Sequence, residues 1–457
     1  MKEKIRIASG QGFWGDLIDA PYNQVANGDI DYLVMDYLAE VTMSILQKQK
    51  NKNPELGYAR DIPELMKRIL PICKEKNIKV ITNGGGVNPI SCAKAVLGVA
   101  KSIGINELKI GVVLGDDIRE KIDLIIDSGC NLNDMETGEP IQSVKDKLLS
   151  ANVYFGAFPI VDALDAGADI VITGRTTDTG LTLAPMIHEF GWAKDNFDLM
   201  AAGTVAGHIL ECGAQATGGN FLGDWESIDN FASIGFPIAE AYPNGEVIIT
   251  KHESLGGKVS IETVSEQLLY EIGNPKMYIT PDCIADFTSI QLEEVGKDRV
   301  KVFGVKGEPD TPSYKVSCSY SSGYSAVSTL TYSWPQALTK AKAVNKILRE
   351  RLENLNLQFD EIRTEFVGYN ACHGPLAADI DEDLINEIVV RFAVRSKDYN
   401  SIERFGKEIA PLILTGPPSV TGFAGGRPKP SEVVAYWPAL LPKNLVQPYI
   451  EIMEMKS

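Results

Sequence analysis

The chain has 457 residues, 44% of them hydrophobic and 23% charged, a balance typical of folded globular proteins and a length that predicts two domains. Its formal net charge of −17 argues against nucleic acid and anionic membrane surfaces as partners, while a locally positive loop can still hold a small anion. The cysteines at 73, 92, 130, 212, 283, 318 and 372 carry no C-x-x-C spacing, which argues against a zinc ribbon and fits a reducing cytoplasm. Gly10, Gln11, Gly12 and Asp16 interrupt any signal-peptide core, and no stretch nears the roughly 20 apolar residues of a membrane span. The expected location is cytoplasmic.

One pattern recurs through the first half: a short apolar strand runs straight into a polar, glycine-rich loop. Ile5–Ala8 leads into Ser9-Gly10-Gln11-Gly12-Phe13-Trp14-Gly15-Asp16, and Tyr32–Met35 into Asp36-Tyr37-Leu38-Ala39-Glu40. Lys79–Ile81 leads into Thr82-Asn83-Gly84-Gly85-Gly86, and Ile110–Leu114 into Gly115-Asp116-Asp117. Val153–Phe155 meets Gly156, and Ile170–Ile172 leads into Thr173-Gly174-Arg175-Thr176-Thr177-Asp178-Thr179-Gly180. In parallel α/β folds such loops gather at one edge of the sheet, where the ligand binds. Helical periodicity separates the strands over Leu38–Gln49, Ile62–Glu75, Pro89–Ile103, Asp117–Asp127 and Leu181–Phe190, with Asn88 and Pro89 as a start signal.

After about residue 230 the texture changes. Runs rich in β-branched and aromatic residues predict strands at Val247–Thr250, Val300–Val305, Tyr314–Tyr320, Ala326–Tyr332, Arg363–Val367, Ile388–Arg395 and Val433–Trp437, around a long helix at Pro335–Leu355. The expectation is an α/β domain over 1–230 with a Rossmann-like, mostly parallel sheet, a TIM-like barrel being the alternative, and an α+β domain with a mixed sheet over 231–457.

Several loops are candidates for chemistry. Gly10-x-Gly12-x-x-Gly15 after a strand, with Asp36 about 20 residues beyond, matches a dinucleotide fingerprint and suggests NAD. Asp16, Asp19 and Pro21 fall where the first helix would start, and an acidic helix start repels a pyrophosphate; a substrate loop or a tight turn is the competing reading. Asn83, Gly84, Gly85 and Gly86 before the Asn88–Pro89 helix start suit an anion cradle, against a plain turn. Arg175 can grip a carboxylate or phosphate with its planar fork, Thr176 and Thr177 offer hydroxyls, and Asp178 serves as a base, a metal ligand or a helix cap. His208 and Glu211 stand one helical turn apart, as an acid–base pair requires, and Gly218, Gly219 and Asn220 extend the polar loop beyond them. Arg427 lies in the basic loop Gly425-Gly426-Arg427-Pro428-Lys429-Pro430, suited to a phosphate or a CoA-type tail. Asp36 and Asp116 could hold Mg²⁺ or another divalent cation, which prefers oxygen ligands.

Taken together, the Gly10, Asp36, Gly84, Thr173 and Gly425 stretches, with Gly213-Ala214-Gln215-Ala216-Thr217-Gly218-Gly219-Asn220, resemble the acyclic terpene utilisation protein AtuA family over nearly the whole chain. The resemblance implies a role in catabolism of branched isoprenoids through acyl-CoA intermediates, with CoA as part of the substrate. Longer members of that family append a small ferredoxin-like domain, which implies a separately encoded small partner or a homo-oligomer here. The residues themselves suit proton abstraction beside a carbonyl, hydration or carbon–carbon cleavage, with Arg175 holding the substrate and Asp178 or Glu211 moving the proton. An NAD-dependent oxidoreductase and a non-catalytic acyl-CoA-binding scaffold are the alternatives.

Overall fold

A computed structural model describes residues 2–422 and 425–455. Two compact units emerge, Met1–Ser319 with Tyr436–Ser457, and Tyr320–Ala435. The change of texture near residue 230 falls inside the first unit, whose main sheet continues beyond it.

The first unit opens with β1 (Ile5–Gln11), α1 (Ala20–Ala26), β2 (Tyr32–Met35), α2 (Glu40–Lys52), α3 (Ile62–Lys76), β3 (Lys79–Thr82), α4 (Pro89–Ser102) and β4 (Leu108–Leu114). It continues through α5 (Ile122–Asp127), β5 (Leu148–Val153), α6 (Phe158–Asp165), β6 (Ile170–Thr173), α7 (Gly180–Phe190) and α8 (Phe197–Glu211). Then come β7 (Ile238–Ala241), β8 (Val247–Thr250), α9 (Ile261–Leu269), β9 (Tyr278–Ile279), β10 (Ile284–Asp286), β11 (Gln291–Gly296), β12 (Arg299–Phe303) and β13 (Lys306–Glu308).

Strands β1, β2, β3, β6 and β4 pair in parallel, in that spatial order. Beyond β1 the same sheet runs on through antiparallel β7, β8, β12 and β11. Beyond β4 it takes antiparallel β19 (Tyr449–Met455), from the chain's last stretch. The fold class is therefore α/β with a mixed ten-stranded sheet. Alternation decides which helices cover which face. Tyr32 and Val34 of β2 join the core with α6, α7 and α8, while Leu33 and Met35 join the core with α1 to α4. Burial on both faces makes these strands continuous apolar runs, which is why they were legible as strands.

The chain leaves this unit within β14 (Ser313–Ser333) and re-enters it within β18 (Ser431–Pro442). The second unit holds α10 (Ala337–Asn354), β15 (Glu361–Val367), β16 (Glu387–Ser396), α11 (Tyr399–Ile409), α12 (Leu412–Thr415) and β17 (Val420–Gly422). Its antiparallel sheet, β15-β16-β14-β17, buries one face. Leu330, Tyr332, Val390 and Phe392 pack there against Val344 and Leu348 of α10 and Ile402 and Phe405 of α11. The strands expected at Tyr314–Tyr320 and Ala326–Tyr332 are one continuous strand.

Candidate functional site

The parallel register brings the strand ends level. Gln11 pairs with Met35, Met35 with Thr82, Thr82 with Ile172, and Val113 with Thr173. The loops after β1, β2, β3, β6 and β4 therefore leave the same edge of one sheet, so Gly12, Asp36, Gly85, Arg175 and Asp116 all lie along that edge.

Arg175 is the centre of a buried ionic network. It is 2% exposed. Its backbone N–H donates to Asp116 Oδ2 at 2.8 Å, and its Nη1 donates to Leu38 O at 2.7 Å and to Asp178 Oδ1 at 2.8 Å. The guanidinium lies 4.1 Å from the centre of the Tyr154 ring, a cation–π contact strengthened by desolvation. Tyr154 in turn donates its hydroxyl to Glu40 Oε1 at 2.8 Å, and Lys315 Nζ lies 3.5 Å from the same oxygen. Nε of Arg175 is buried without a hydrogen-bond partner. Both ends of the network are partly open, with the Asp178 side chain 34% and the Glu40 side chain 38% exposed.

The carboxyls around this cation are driven apart. Asp36 is buried and accepts from Asn83 Nδ2 at 2.6 Å and from the Leu38 N–H at 3.1 Å. Burial and the charge of Asp178 raise its carboxyl well above the ordinary range, against the pull of Arg175 and these donors. Glu40 is also desolvated, but Arg175, Tyr154 and Lys315 outweigh that cost and hold it below the ordinary range. Asp116, buried at the end of β4, is pushed up to about 6 by burial, although the Arg175 N–H and Asn152 Nδ2 oppose the rise. Two carboxyls with opposite tendencies flank one arginine, the condition under which an acid and a base coexist in one site.

The glycine loops serve packing. A Cβ at Gly85 would stand 2.5 Å from Thr173 O, and side chains at Gly84 and Gly86 would overlap Ile62 and Leu46. The Gly84 and Gly86 N–H groups already donate to Thr82 Oγ1 and Asn83 O. Gly10 lies within β1 against Leu33, and the Gly12 N–H donates to Asp16 Oδ2 at 2.9 Å. In the Gly10 loop, the N–H group that would face a pyrophosphate is thus held by the protein's own carboxylate. Asn83 does its work with its side chain, which accepts from the Tyr37 N–H and donates to Asp36.

Gly12 also permits a close approach. A Cβ there would stand 2.9 Å from Cys212 C and 3.0 Å from Glu211 O, at the end of α8. Gly207, within α8, comes equally close to the loop after β6, where a Cβ would stand 2.5 Å from Thr179 O. These two contacts seat the His208–Glu211 turn beside the strand-end edge. His208 Nδ1 lies 2.8 Å from Glu211 Oε1, and its Nε2 lies 3.0 Å from Gln267 O. Its ring packs edge-on against Tyr278 and Phe287.

Other expected site residues lie further out. Thr176 bonds Phe155 O, and Thr177 pairs with Thr179. The Gly218 and Gly219 N–H groups close a local turn onto Gln215 O and Ala214 O, and Asn220 is exposed with φ of 58°. Arg427 is exposed and belongs to the second unit. Asp36 and Asp116 are held by different asparagines, Asn83 and Asn152. Among the described residues no three His, Cys, Asp or Glu side chains gather as metal ligands. A separate cleft of about 620 Å³ beside the Gly256-Gly257-Lys258 loop mixes Lys251, Lys258 and Lys297 with Asp229, Glu253, Glu294 and Asp298, and so has no anion-selective lining.

Tyr154, Asn152 and Lys315 were not singled out from sequence. Tyr154 had a signal, since it lies within the Val153–Phe155 strand run. Lys315 had none, because its role depends on β14 running beside β5, where the Tyr154 N–H donates to Lys315 O.

Fold and network define a class: an α/β protein in which buried ionisable side chains converge where the parallel strands of a mixed sheet end. Residues 5–452 match the family model described as acyclic terpene utilisation family protein AtuA, and the chain belongs to that family. No curated protein and no solved structure matches the chain. No helix among the described residues is long and apolar enough to cross a membrane.

Proposed function

We propose that this chain is an enzyme of organic-acid or acyl-CoA catabolism, performing lyase- or hydratase-type chemistry beside a carbonyl in the breakdown of branched isoprenoids that its family's name denotes. The observation that carries this reading is Arg175, buried between a carboxyl held above its ordinary range, Asp36, and one held below it, Glu40. Removing a proton beside a carbonyl leaves negative charge on the carbonyl oxygen, and a desolvated guanidinium stabilises such charge far better than water does. Asp36 has the character of an acid that protonates a leaving or developing oxygen. Glu40, Asp178 and Glu211 are the candidate bases. All seven cysteines are free thiols, which supports a reducing cytoplasm as the place of the reaction.

Thermal shifts test the reading directly, with a 3-methyl-branched enoyl-CoA, free CoA, NAD and MgCl₂ as separate probes on the wild type and on Arg175→Lys. Stabilisation by the branched thioester that is lost in Arg175→Lys is the expected result, since lysine keeps the charge but not the fork. Stabilisation by NAD alone would favour the oxidoreductase. Binding of the thioester without any change in it by mass spectrometry would favour a non-catalytic acyl-CoA-binding subunit.

A further inference from the structure

The His208–Glu211 turn is the second ionisable cluster near the strand-end edge, and its hydrogen bonds constrain its protons. Gln267 O, a backbone carbonyl, can only accept, so His208 Nε2, 3.0 Å away, carries a hydrogen. Gln267 Nε2 closes the same pair by donating to His208 O at 2.7 Å. With Nε2 protonated, a neutral His208 presents a bare Nδ1, an acceptor. That Nδ1 lies 2.8 Å from Glu211 Oε1, and two bare acceptors do not rest so close inside a protein. The contact is an ion pair and not a hydrogen bond, since Nδ1 is itself buried without a hydrogen-bond partner, and it is favourable when the imidazole carries both ring protons and Glu211 is ionised. The other carboxyl oxygen, Oε2, is buried and has no hydrogen-bond partner, although the Glu211 side chain as a whole is 12% exposed at the edge of the site. A buried acceptor left unsatisfied in this way is costly unless something completes it.

We propose that His208 and Glu211 form a one-proton dyad, and that Glu211 Oε2 is the atom that takes a proton from the substrate and returns it. The proposal rests on the carbonyl chemistry read above. Glu211 is then a catalytic residue and His208 a positioning residue behind it. In the resting dyad with the proton on Nδ1, Glu211 is a carboxylate. A C–H bond beside the substrate carbonyl gives its proton to Oε2, and its electron pair stays on the substrate as an enolate. The dyad now holds two protons, one on each partner. Return of the proton to the substrate restores the resting dyad, so protons and electrons balance without a redox partner.

The surroundings fit this role. Burial works against charge on both partners, yet Glu211 outweighs it at His208 and holds the imidazole proton above its ordinary range. Burial raises Glu211, with His208 opposing and Asp178 and Glu271 adding to the rise. The other titratable groups facing the dyad are Cys212 at the end of α8, Tyr270 after α9, and Tyr278 of β9. Tyr278 and Phe287 hold the ring in place.

Histidine ¹⁵N NMR on the full-length chain reads the dyad without any substrate, the His208 signal being assigned by its loss in His208→Gln. In the wild type Nε2 should remain protonated across the titration. The second proton should be released above the free imidazole midpoint of about 6.5. Glu211→Gln should lower that midpoint by at least about one pH unit, a tenfold loss of proton affinity. A wild-type His208 with a bare Nδ1 at neutral pH and a midpoint at or below about 6.5 overturns the dyad whether or not the variant folds. Deuterium uptake at the α-carbon of a saturated 3-methyl-branched acyl-CoA in D₂O then reads the role. Glu211→Gln should slow uptake by about a hundredfold or more, while His208→Gln should shift the pH profile of kcat and leave KM nearly unchanged. Uptake that survives Glu211→Gln overturns the role of Oε2. Absence of uptake by the wild type, with the Nδ1 proton visible in the spectra, counts against the carbonyl chemistry and not against the dyad.

Discussion

The loops after β3 and β6 leave neighbouring strands of one sheet, end level, and look equally inviting in sequence. The first, Asn83-Gly84-Gly85-Gly86, is closed upon itself, its glycines pressed against Thr173 O, Ile62 and Leu46. The second, Gly174–Thr179, carries a buried arginine with one donor unspent, between carboxyls of opposite tendency. Glycine richness after a strand reports protein packed tightly against protein as readily as backbone opened to a ligand. Chemistry is marked by ionisable groups whose desolvation cost is only partly met. Gly85 even serves the second loop, because its lack of a side chain lets the β3 loop support Thr173.

Arg175→Met breaks the comparison most severely. It leaves Asp36 and Asp178 without their cation, and removing one partner of a buried ion pair costs about 3–5 kcal/mol. Urea denaturation should show this loss, and a cost under about 1 kcal/mol would mean the network is weakly coupled.

Asp116 offers a test by pH. Its carboxyl is raised in the folded chain to about 6, above an unfolded value near 4. Its stabilising contribution is therefore complete below the unfolded value and is lost as pH climbs through about 6. The span amounts to about 2–3 kcal/mol. Asp282, raised to about 6 by burial, contributes in the same direction. Denaturation midpoints measured across this window should fall with rising pH in the wild type, and Asp116→Asn should flatten the slope.

Gly85→Ala probes the packed loop. A methyl group 2.5 Å from a backbone carbonyl forces strand against strand, and such overpacking costs about 1–3 kcal/mol. The loss should appear in thermal unfolding. If Gly85→Ala instead bound the thioester more weakly at unchanged stability, the loop would be a ligand cradle after all.

Asp178→Asn should cost less than Arg175→Met, about 1.5–3 kcal/mol, because it weakens one charge-assisted hydrogen bond of the buried Arg175 while Asp36 and Glu40 still face the cation. Its electrostatic effect is sharper. With the charge of Asp178 removed, the carboxyls of Asp36 and Glu211 should both titrate lower, since Asp178 helps to raise each of them. Carboxyl ¹³C NMR would detect the shift, and unmoved carboxyls would show that Asp178 does not act on them.

The strands of the parallel core were readable to within a few residues, β2 over its full Tyr32–Met35 span. Burial on both faces leaves an apolar run with no polar alternation to confuse it. Antiparallel β7, only Ile238–Ala241, was too short and too rich in alanine to announce itself. Helix α8 was visible only in its last turn, because it is buried almost throughout and lacks a polar stripe. The division into compact units at Ser319 and Tyr320 falls inside β14, where the strand pattern continues and no proline or charge run marks it.

By itself the sequence determined the alternation of strand, loop and helix, and with it that Asp36, Asn83, Asp116 and Arg175 would stand at strand ends. Those are consequences of local periodicity and of parallel pairing. Only the tertiary structure decided that Asp36 and Glu40 would be driven in opposite directions, that Tyr154 and Lys315 would complete the network, and that Gln267 would constrain the protons of His208. Each of these depends on residues far apart in the chain, and the proton affinity of a buried group is set by which charges and dipoles surround it in space.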